Sequence, residues 1–453
     1  MNIQFLGAAG TVTGSCYFLT ADSGESIMVD CGLFQGSREL DKANFTPLAC
    51  DPSQAVGLVL THAHLDHCGR LPLLLKQNFN APIWMTSATR DITEISLQDT
   101  AKINKQDHPD NPLYEAEDVN AVLELFKTVE YDTPFSVGPF TVTMRDAGHI
   151  LGSASLEIVD TTAKSEMKKI IFSGDLGNTP EELIKPTYMI ADADAVVMES
   201  TYGDRVHPIE DANAILQQEI NAVEKNNGTL LIPCFAIERS QELLHDIAHL
   251  KKDGKVKEET QVFFDSPMAE KVTEVFEQYP ELYNEEFAAE AQHGTPFHFP
   301  GLKVVGGQQQ RTELSELEGT KVIIAGSGMM TGGRILTHAQ QYLPLESTRI
   351  LFVGYQAEGT LGRAILEGQK NVTLKDEYFQ VNATVSQTQS MSSHADQPKL
   401  LSWLKHIQGV KKVFIVHGED VAREALAEKI KNELGINDIV EPKANETVEV
   451  TTG

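Results

Sequence analysis

Thr61-His62-Ala63-His64-Leu65-Asp66-His67 constrains this chain more than any other stretch. The apolar run Val56 to Leu60 leads into it, and Gly69-Arg70-Leu71-Pro72-Leu73-Leu74-Leu75 follows. The periodicity predicts a short buried strand ending at Thr61 and a helix beginning just after the cluster. Alternate residues of an extended segment point the same way, so His62 and His64 can grip one ion together. Where the chain turns into the helix, Asp66 and His67 swing to another side and can serve a second ion. Imidazole and carboxylate suit zinc, which takes N and O ligands at roughly 2.0–2.2 Å. Solvated histidines at a strand end are the plainer alternative. Three histidines and an aspartate within six residues, directly behind an apolar run, argue against it.

At 453 residues the chain exceeds what one core usually holds, so two domains are expected. With 41% hydrophobic and 23% charged residues it is composed like an ordinary globular protein. Its five cysteines (Cys16, Cys31, Cys50, Cys68, Cys234) are scattered and form no Cys-x-x-Cys pair. That pattern points to a reducing compartment, with neither a disulfide framework nor a thiolate zinc site. The start, Ile3 to Gly10, lacks the basic flank of a secretory leader, since the first Lys or Arg is Arg38, and reads as a strand and turn. No apolar run reaches the ~18 residues of a membrane span. A cytoplasmic protein without a membrane partner is therefore expected. The net charge of −28 lacks the basic footprint usual for nucleic-acid binders. Any phosphate contact must then come from local Arg and Lys and from bound metal, and the acid spread along the chain reads as a solubilising surface.

Taken in order, residues 1 to 30 read as two or three short strands with a Gly-rich turn, and Ile27-Met28-Val29 ends in Asp30-Cys31-Gly32. Pro82 to Met85 reads as a strand, Ala88 to Ile103 as an amphipathic helix, Gln106 to Asp118 as a loop around Pro109 and Pro112, and Val119 to Phe126 as a second helix. His108 in that loop reads as a surface histidine. Phe140 to Met144 alternates like a strand, and His149 in Asp146-Ala147-Gly148-His149-Ile150-Leu151-Gly152-Ser153 is the natural third imidazole. Lys169 to Ser173 leads to Gly174-Asp175; taken singly, Asp175 there is as well explained by turn chemistry. Ala195 to Met198 ends in Glu199-Ser200-Thr201-Tyr202-Gly203. Beyond Arg205 the texture becomes strand–loop–helix, which predicts a parallel sheet in an inserted α/β domain. Two of its loops, Gly326 to Arg334 and Gly354 to Arg363, are Gly-rich and end in Arg, so backbone N–H groups there can cradle phosphate. Lys251 to Thr260 reads as a charged surface loop. Near the end come Ser390-Met391-Ser392-Ser393-His394-Ala395-Asp396, a strand Lys412 to Val416 ending in His417-Gly418-Glu419, a helix from Asp420 to about Leu434 stopped by Gly435, and an edge strand within Thr447 to Thr451.

His-x-His-x-Asp-His, preceded by Asp30 and followed by His149 and Asp175, resembles the four motifs of the metallo-β-lactamase superfamily. Glu199-Ser-Thr-Tyr-Gly, the His394 segment and His417-Gly resemble motifs A, B and C of its β-CASP nuclease branch, so the resemblance covers nearly the whole chain. It is nearest to bacterial RNA-cleaving members akin to the 3′-end-processing endonuclease subunit of the polyadenylation complex. The resemblance implies an αβ/βα sandwich, split into residues 1–205 and 385–453, with a β-CASP domain of mostly parallel sheet at 206–384. It implies two zinc ions per chain, one on His62, His64 and His149, the other on Asp66, His67 and His417, with Asp175 bridging. His394, Glu199, Asp66 and Asp30 are the residues it marks as catalytic: His394 as general acid, Glu199 as its partner, Asp30 orienting the centre from behind. Ser327, Gly328, Arg334 and Arg363 become candidates for phosphate contacts. The implied activity is hydrolysis of RNA phosphodiester bonds, endonucleolytic on single strands, leaving 5′-phosphate and 3′-hydroxyl. A thioesterase-like hydrolase would share the metal ligands but has no use for motifs A to C. A DNA nuclease of the branch would carry Val at the motif C histidine, and a non-catalytic scaffold would have lost ligands. The chain is expected to be close to the minimal two-domain form, without the RNA-binding extension of archaeal relatives or the C-terminal extension of the ribonuclease J type. By analogy it is expected to form a homodimer.

Overall fold

A computed structural model describes residues 1–374, 377–388 and 390–451. The chain folds as two units, one made of Met1–Val206 with His394–Gly453 and the other of His207–Ser393.

The first unit is built on two seven-stranded sheets. One runs, across its width, Thr447–Glu449, Asn2–Phe5, Tyr17–Thr20, Ser26–Val29, Ala55–Val59, Ile83–Met85, Phe126–Thr128. The other runs Asp438–Val440, Lys412–Ile415, Ala195–Met198, Lys169–Phe172, Ala154–Asp160, Phe140–Asp146, Phe135–Val137. Side chains alternate across a strand, so every strand buried on both faces feeds two cores. Ile27 and Val29 join Ile170, Phe172, Val197 and Phe414 in the core between the sheets. Their neighbours face outward: Met28 and Leu58 pack with Leu97 and Val119 of the helices on one side. Ile171, Val196 and Met198 pack with Leu400, Trp403 and Leu426 of the helices on the other. The result is the four-layer αβ/βα sandwich.

The second unit holds a six-stranded sheet in the order Leu302–Val304, Gln261–Asp265, Lys321–Ala325, Thr229–Pro233, Thr348–Phe352, Thr384–Gln387. Every neighbouring pair in it is parallel, which requires the crossover helices that the strand–helix alternation predicted. No helix among the described residues is long and apolar enough to cross a membrane.

Several boundaries differ from those read in the sequence. The strand before the histidine cluster ends at Val59, and helix begins inside the cluster, at Leu65–Cys68, with His64 as its N-cap residue. The long helix spans Ser87–Asp107, started by the Thr86 hydroxyl accepting from the Thr89 N–H. The next helix is Ala116–Leu123 because Glu115 and Asp118 form a reciprocal capping box inside the expected loop. Phe126 is consequently free to open a strand, paired in parallel with Ile83. Lys251 is buried, not a surface charge; its Nζ donates to the carbonyls of Glu258 at 3.0 Å and Pro300 at 2.9 Å. The inserted sheet also runs past residue 385, since Thr384–Gln387 pairs with Arg349–Phe352, and the first unit resumes at His394.

Phe172 is buried between the two sheets, ring to ring with Tyr17 at 5.5 Å. Phe172→Ala will cost roughly 3–5 kcal/mol. Both tryptophans, Trp84 and Trp403, lie in the first unit, so their fluorescence in a urea titration reads this loss; exposed Ile209→Ala will leave the curve in place.

Candidate metal centre

The sequence-predicted ligands follow the ends of strands from both sheets: Ala55–Val59 leads to His62 through His67, Phe140–Asp146 to His149, Lys169–Phe172 to Asp175, and Lys412–Ile415 to His417. Ser26–Val29 leads likewise to Asp30, and Ala195–Met198 to Glu199. The turn carrying Asp66 is fixed by backbone contact with the Asp30 segment. Cys31 N–H donates to His67 O at 2.7 Å, and Leu33 N–H to Leu65 O at 2.7 Å. Between them Gly32 lies so close that a Cβ would sit 1.6 Å from Asp66 O. On the far side Gly177 meets Gly148 as tightly, a Cβ at Gly177 falling 1.7 Å from the Gly148 carbonyl oxygen, which holds the His149 loop against the Asp175 loop.

The ligand atoms gather into two sets that could hold metal, His62, His64, His149 and Asp175, and Asp66, His67, Asp175 and His417. Asp175 belongs to both. It is buried, and among the described residues neither of its carboxylate oxygens has a hydrogen-bond partner. Around it stand the imidazole nitrogens of His67 at 3.4 Å, His62 at 3.5 Å, His149 at 3.7 Å, His417 at 3.7 Å and His394 at 3.9 Å. Within the sets, His149 Nε2 lies 3.1 Å from His64 Nδ1 and His417 Nε2 lies 3.3 Å from Asp66 Oδ2. Two ligands of one tetrahedral zinc with bonds of roughly 2.0–2.1 Å sit about 3.3 Å apart. The donor spacing therefore fits such an ion, and the all-N,O donor set fits zinc.

The outer ring nitrogens are anchored. His67 Nδ1 faces Asp30 Oδ2 at 2.8 Å, and the same carboxylate accepts from Thr61 N at 2.7 Å and Thr61 Oγ1 at 2.8 Å. His62 Nδ1 faces Thr61 Oγ1 at 3.0 Å, and His417 Nδ1 faces Thr201 Oγ1 at 3.0 Å. Carboxylates and hydroxyls behind ligating histidines fix the ring and its tautomer.

Electrostatics separates the histidines. Burial pushes His62 well below its ordinary value and His64 down to about 4, which leaves both as neutral donors. Burial acts on His67 in the same direction, but Asp175 and Asp30 outweigh it and hold that ring well above the usual range. Burial would raise both aspartates; the imidazoles of His417 and His67 instead hold Asp175 well below the carboxylate range and Asp66 at about 2.

A third group, Asp175, Glu199 and His394, abuts these two. His394 Nδ1 lies 3.4 Å from Glu199 Oε2. Glu199 is buried, and its oxygens accept from Leu176 N at 2.6 Å and Thr201 N at 3.3 Å. Burial opposes the charge on His394, yet Glu199 and Asp175 carry its pKa up to about 9. The residue is firmly placed, bridging to Gly177, with Ala395 N–H donating to Leu176 O at 2.8 Å. In the Ser- and Thr-rich approach to it, 386–393, Ser386 and Gln387 lie in a strand, and Gln389 falls outside the described residues.

The candidate phosphate contacts all lie in the second unit, after the strands Lys321–Ala325 and Thr348–Phe352. Their loops are tied together by Gln356 Nε2 donating to Gly328 O at 3.0 Å and Gly362 N–H to Met329 O at 3.2 Å. The Ser327 hydroxyl accepts from Thr331 N at 3.3 Å. Arg334 leans toward buried Asp265 at 3.6 Å, and Arg363 donates to Glu367 at 2.6 Å. Sequence reasoning passed over Thr201, Thr61 and Ser15, whose hydroxyl lies 3.3 Å from His67 Nε2. Thr61 directly precedes the His62–His67 cluster, which was the available signal; Thr201 has none, its partner His417 lying 216 residues away.

Two His/Asp donor sets sharing one buried carboxylate, at the strand ends of an αβ/βα sandwich, define a metallohydrolase of the metallo-β-lactamase type. The Metallo-beta-lactamase superfamily profile matches residues 9–195, the Beta-Casp domain profile residues 240–365, and that of the Zn-dependent metallo-hydrolase RNA specificity domain residues 378–442. The chain is 36% identical to Ribonuclease TTHA0252 of Thermus thermophilus over 93% of its own length and 94% of the relative's. It is 30% identical to RNase aCSPSF2 of Saccharolobus solfataricus, over 98% of this chain and 85% of that one. To the transcription termination factor FttA of Methanocaldococcus jannaschii it is 29% identical, over 93% and 67%. The chain belongs to the β-CASP branch of the metallo-β-lactamase superfamily.

Thr201→Val removes the hydroxyl behind His417 without changing side-chain size. Affinity for added Zn²⁺, measured by competition with a chromophoric chelator, will fall by roughly 10–100-fold, while the metal-free protein loses roughly 1–3 kcal/mol for the hydrogen bonds given up at His417.

Proposed function

We propose that the protein is a zinc-dependent ribonuclease that cuts within single-stranded RNA and leaves a 5′-phosphate and a 3′-hydroxyl. The observation that carries this reading is Asp175, shared by two donor sets and flanked by the His394–Glu199 pair. The RNA specificity profile over 378–442 and the ribonuclease names of the relatives support RNA as the substrate. On this reading His62, His64 and His149 would hold one zinc and Asp66, His67 and His417 the other, with Asp175 belonging to both donor sets. Two bound zinc ions supply Lewis acidity toward the phosphate oxygens and acidify water.

The protein's own groups do the rest. Asp30 holds the proton on His67 Nδ1, and Thr201 orients His417, so each ring offers Nε2 as its donor. His394 Nδ1 faces Glu199, so the proton given to the departing 3′ oxygen leaves from Nε2. Glu199, itself held by two backbone N–H groups, keeps that imidazole charged and aimed. Ser327, Gly328, Arg334 and Arg363 contact the phosphate backbone. The five free thiols suit a reducing cytoplasm. A homodimer enlarges the surface available to RNA, and light scattering that gives a monomer mass at micromolar protein overturns that part.

Labelled RNA, DNA and a thioester assayed side by side test the reading: RNA alone should be cut, including a circular single strand, which has no end to start from. Cleavage of DNA or the thioester in preference to RNA overturns it. His417→Ala will lose zinc and rate together. His394→Ala will keep its zinc but lose roughly 10²–10⁴-fold in rate, the span of general acid catalysis. A nitrophenyl phosphodiester, whose leaving group needs no proton, should rescue the His394 variant selectively; loss of zinc in that variant, or no rescue, refutes the division of labour.

A further inference from the structure

In the inserted unit, helix Arg239–Lys252 carries His245 and His249 one turn apart on the same face. Their rings lie 4.4 Å apart, centroid to centroid. Both point Nε2 at a single carboxylate, Glu290 of helix Glu285–Ala291, His245 to Oε2 at 3.0 Å and His249 to Oε1 at 2.8 Å. The three ligand atoms lie within 4.8 Å of one another, far in sequence from the strand-end centre and sharing no residue with it.

The cluster is preorganised. Fully buried Phe287, on the Glu290 helix, packs its ring edge-on against His245 at 5.1 Å. Burial would raise Glu290, but its two imidazole hydrogen bonds lower it, so the carboxylate is ionised. One side opens on a cleft of about 500 Å³ lined by His249, Glu290, His293 and His298. A helical His-x-x-x-His pair presents two imidazoles at the spacing of a chelate, and a carboxylate completes three ligands with open positions toward the cleft.

We propose that His245, His249 and Glu290 form an additional transition-metal site, clamping helix Arg239–Lys252 to helix Glu285–Ala291. Two imidazoles and one carboxylate favour Zn²⁺, Ni²⁺ or Cu²⁺ over Mg²⁺ or Ca²⁺. The half-exposed setting makes the site exchangeable, unlike the buried strand-end centre. Binding only the folded unit, the ion raises its thermal stability in proportion to the logarithm of its free concentration.

The test uses the full, untagged chain with its strand-end centre loaded with zinc, dialysed against Ni²⁺ and analysed for both metals. About one nickel per chain should be gained with zinc retained, and the thermal midpoint should climb with nickel concentration but not with Mg²⁺. The double variant His245→Gln/His249→Gln should lose both the nickel and the shift while keeping its zinc. Should that variant fold poorly, as its circular dichroism melt would show, Glu290→Gln replaces it with the same expectation. His64→Ala, which disturbs the strand-end centre, should still take up nickel. No nickel uptake by the wild type, or equal uptake by the variants, overturns the proposal and leaves a simple imidazole–carboxylate ion pair.

Discussion

The buried carboxylate of Asp175 is the group on which the first unit's design turns. An ionised carboxylate removed from water costs several kcal/mol unless partners replace its hydration. Among the described residues Asp175 has no hydrogen-bond partner at either oxygen, and imidazoles stand 3.4 to 3.9 Å away. Those rings come from strand ends of both sheets, so the carboxylate is compensated only when the two sheets are packed in register. The inner core formed by Val29, Val59, Phe172, Val197 and Phe414 sets that register from below. Hydrophobic packing and site assembly are therefore one event in this unit, and a slip of one residue in any of these strands would invert its side chains and scatter the donors.

The same strand ends carry backbone strain. Asp30 has φ +56° and His417 φ +50°, the left-handed region that non-glycine residues avoid at a cost on the order of 1–3 kcal/mol. Each is over-determined by its neighbours. Asp30 gives its carboxylate to Thr61 and His67 and its N–H to Val59 O. His417 N–H donates to Ala8 O, while Ser200 Oγ holds the preceding carbonyl of Val416 at 2.7 Å. The turn that would relax into an extended strand is thus held bent, and the bend is what aims both side chains inward. At His417 the strain is offset by backbone hydrogen bonds that leave Nε2 free, and at Asp30 by the bonds its carboxylate makes to Thr61 and His67.

How much of this could be read from the sequence depends on the distance over which each feature is specified. The candidate ligands stand out in the sequence because each follows an apolar strand within a few residues, a local pattern, and because three histidines and an aspartate crowd into His62 to His67. The parallel inserted sheet was legible from strand–helix alternation for the same reason. What escaped is what two distant segments decide together. Nothing near Thr201 announces that its hydroxyl meets the ring of His417, since the two lie 216 residues apart. The strand Thr384–Gln387 is short and polar, and only its parallel pairing with Arg349–Phe352 places it in the inserted sheet. Lys251 reads as surface charge because its burial depends on the 251–260 segment folding back, so that the carbonyls of Glu258 and Thr260 and the more distant one of Pro300 accept from its Nζ.

Charge completes the physical picture. A chain of net charge −28 repels a polyanion at long range, and screening limits that repulsion to roughly 8 Å at physiological salt. Attraction must then be short-ranged and built from few groups. In the second unit the Gly-rich loops are locked to each other through Gln356 and Gly362, so their N–H groups are fixed dipoles that need no rearrangement. Arg334 and Arg363 beside them are each paired with a carboxylate, Asp265 and Glu367, rather than left as unbalanced cations. Such pairs weaken non-specific attraction to a polyanion. If these loops hold RNA as proposed, an acidic chain organised this way would trade tight, indiscriminate holding for contacts that form at a few fixed positions. That arrangement suits a substrate that must leave after each cut.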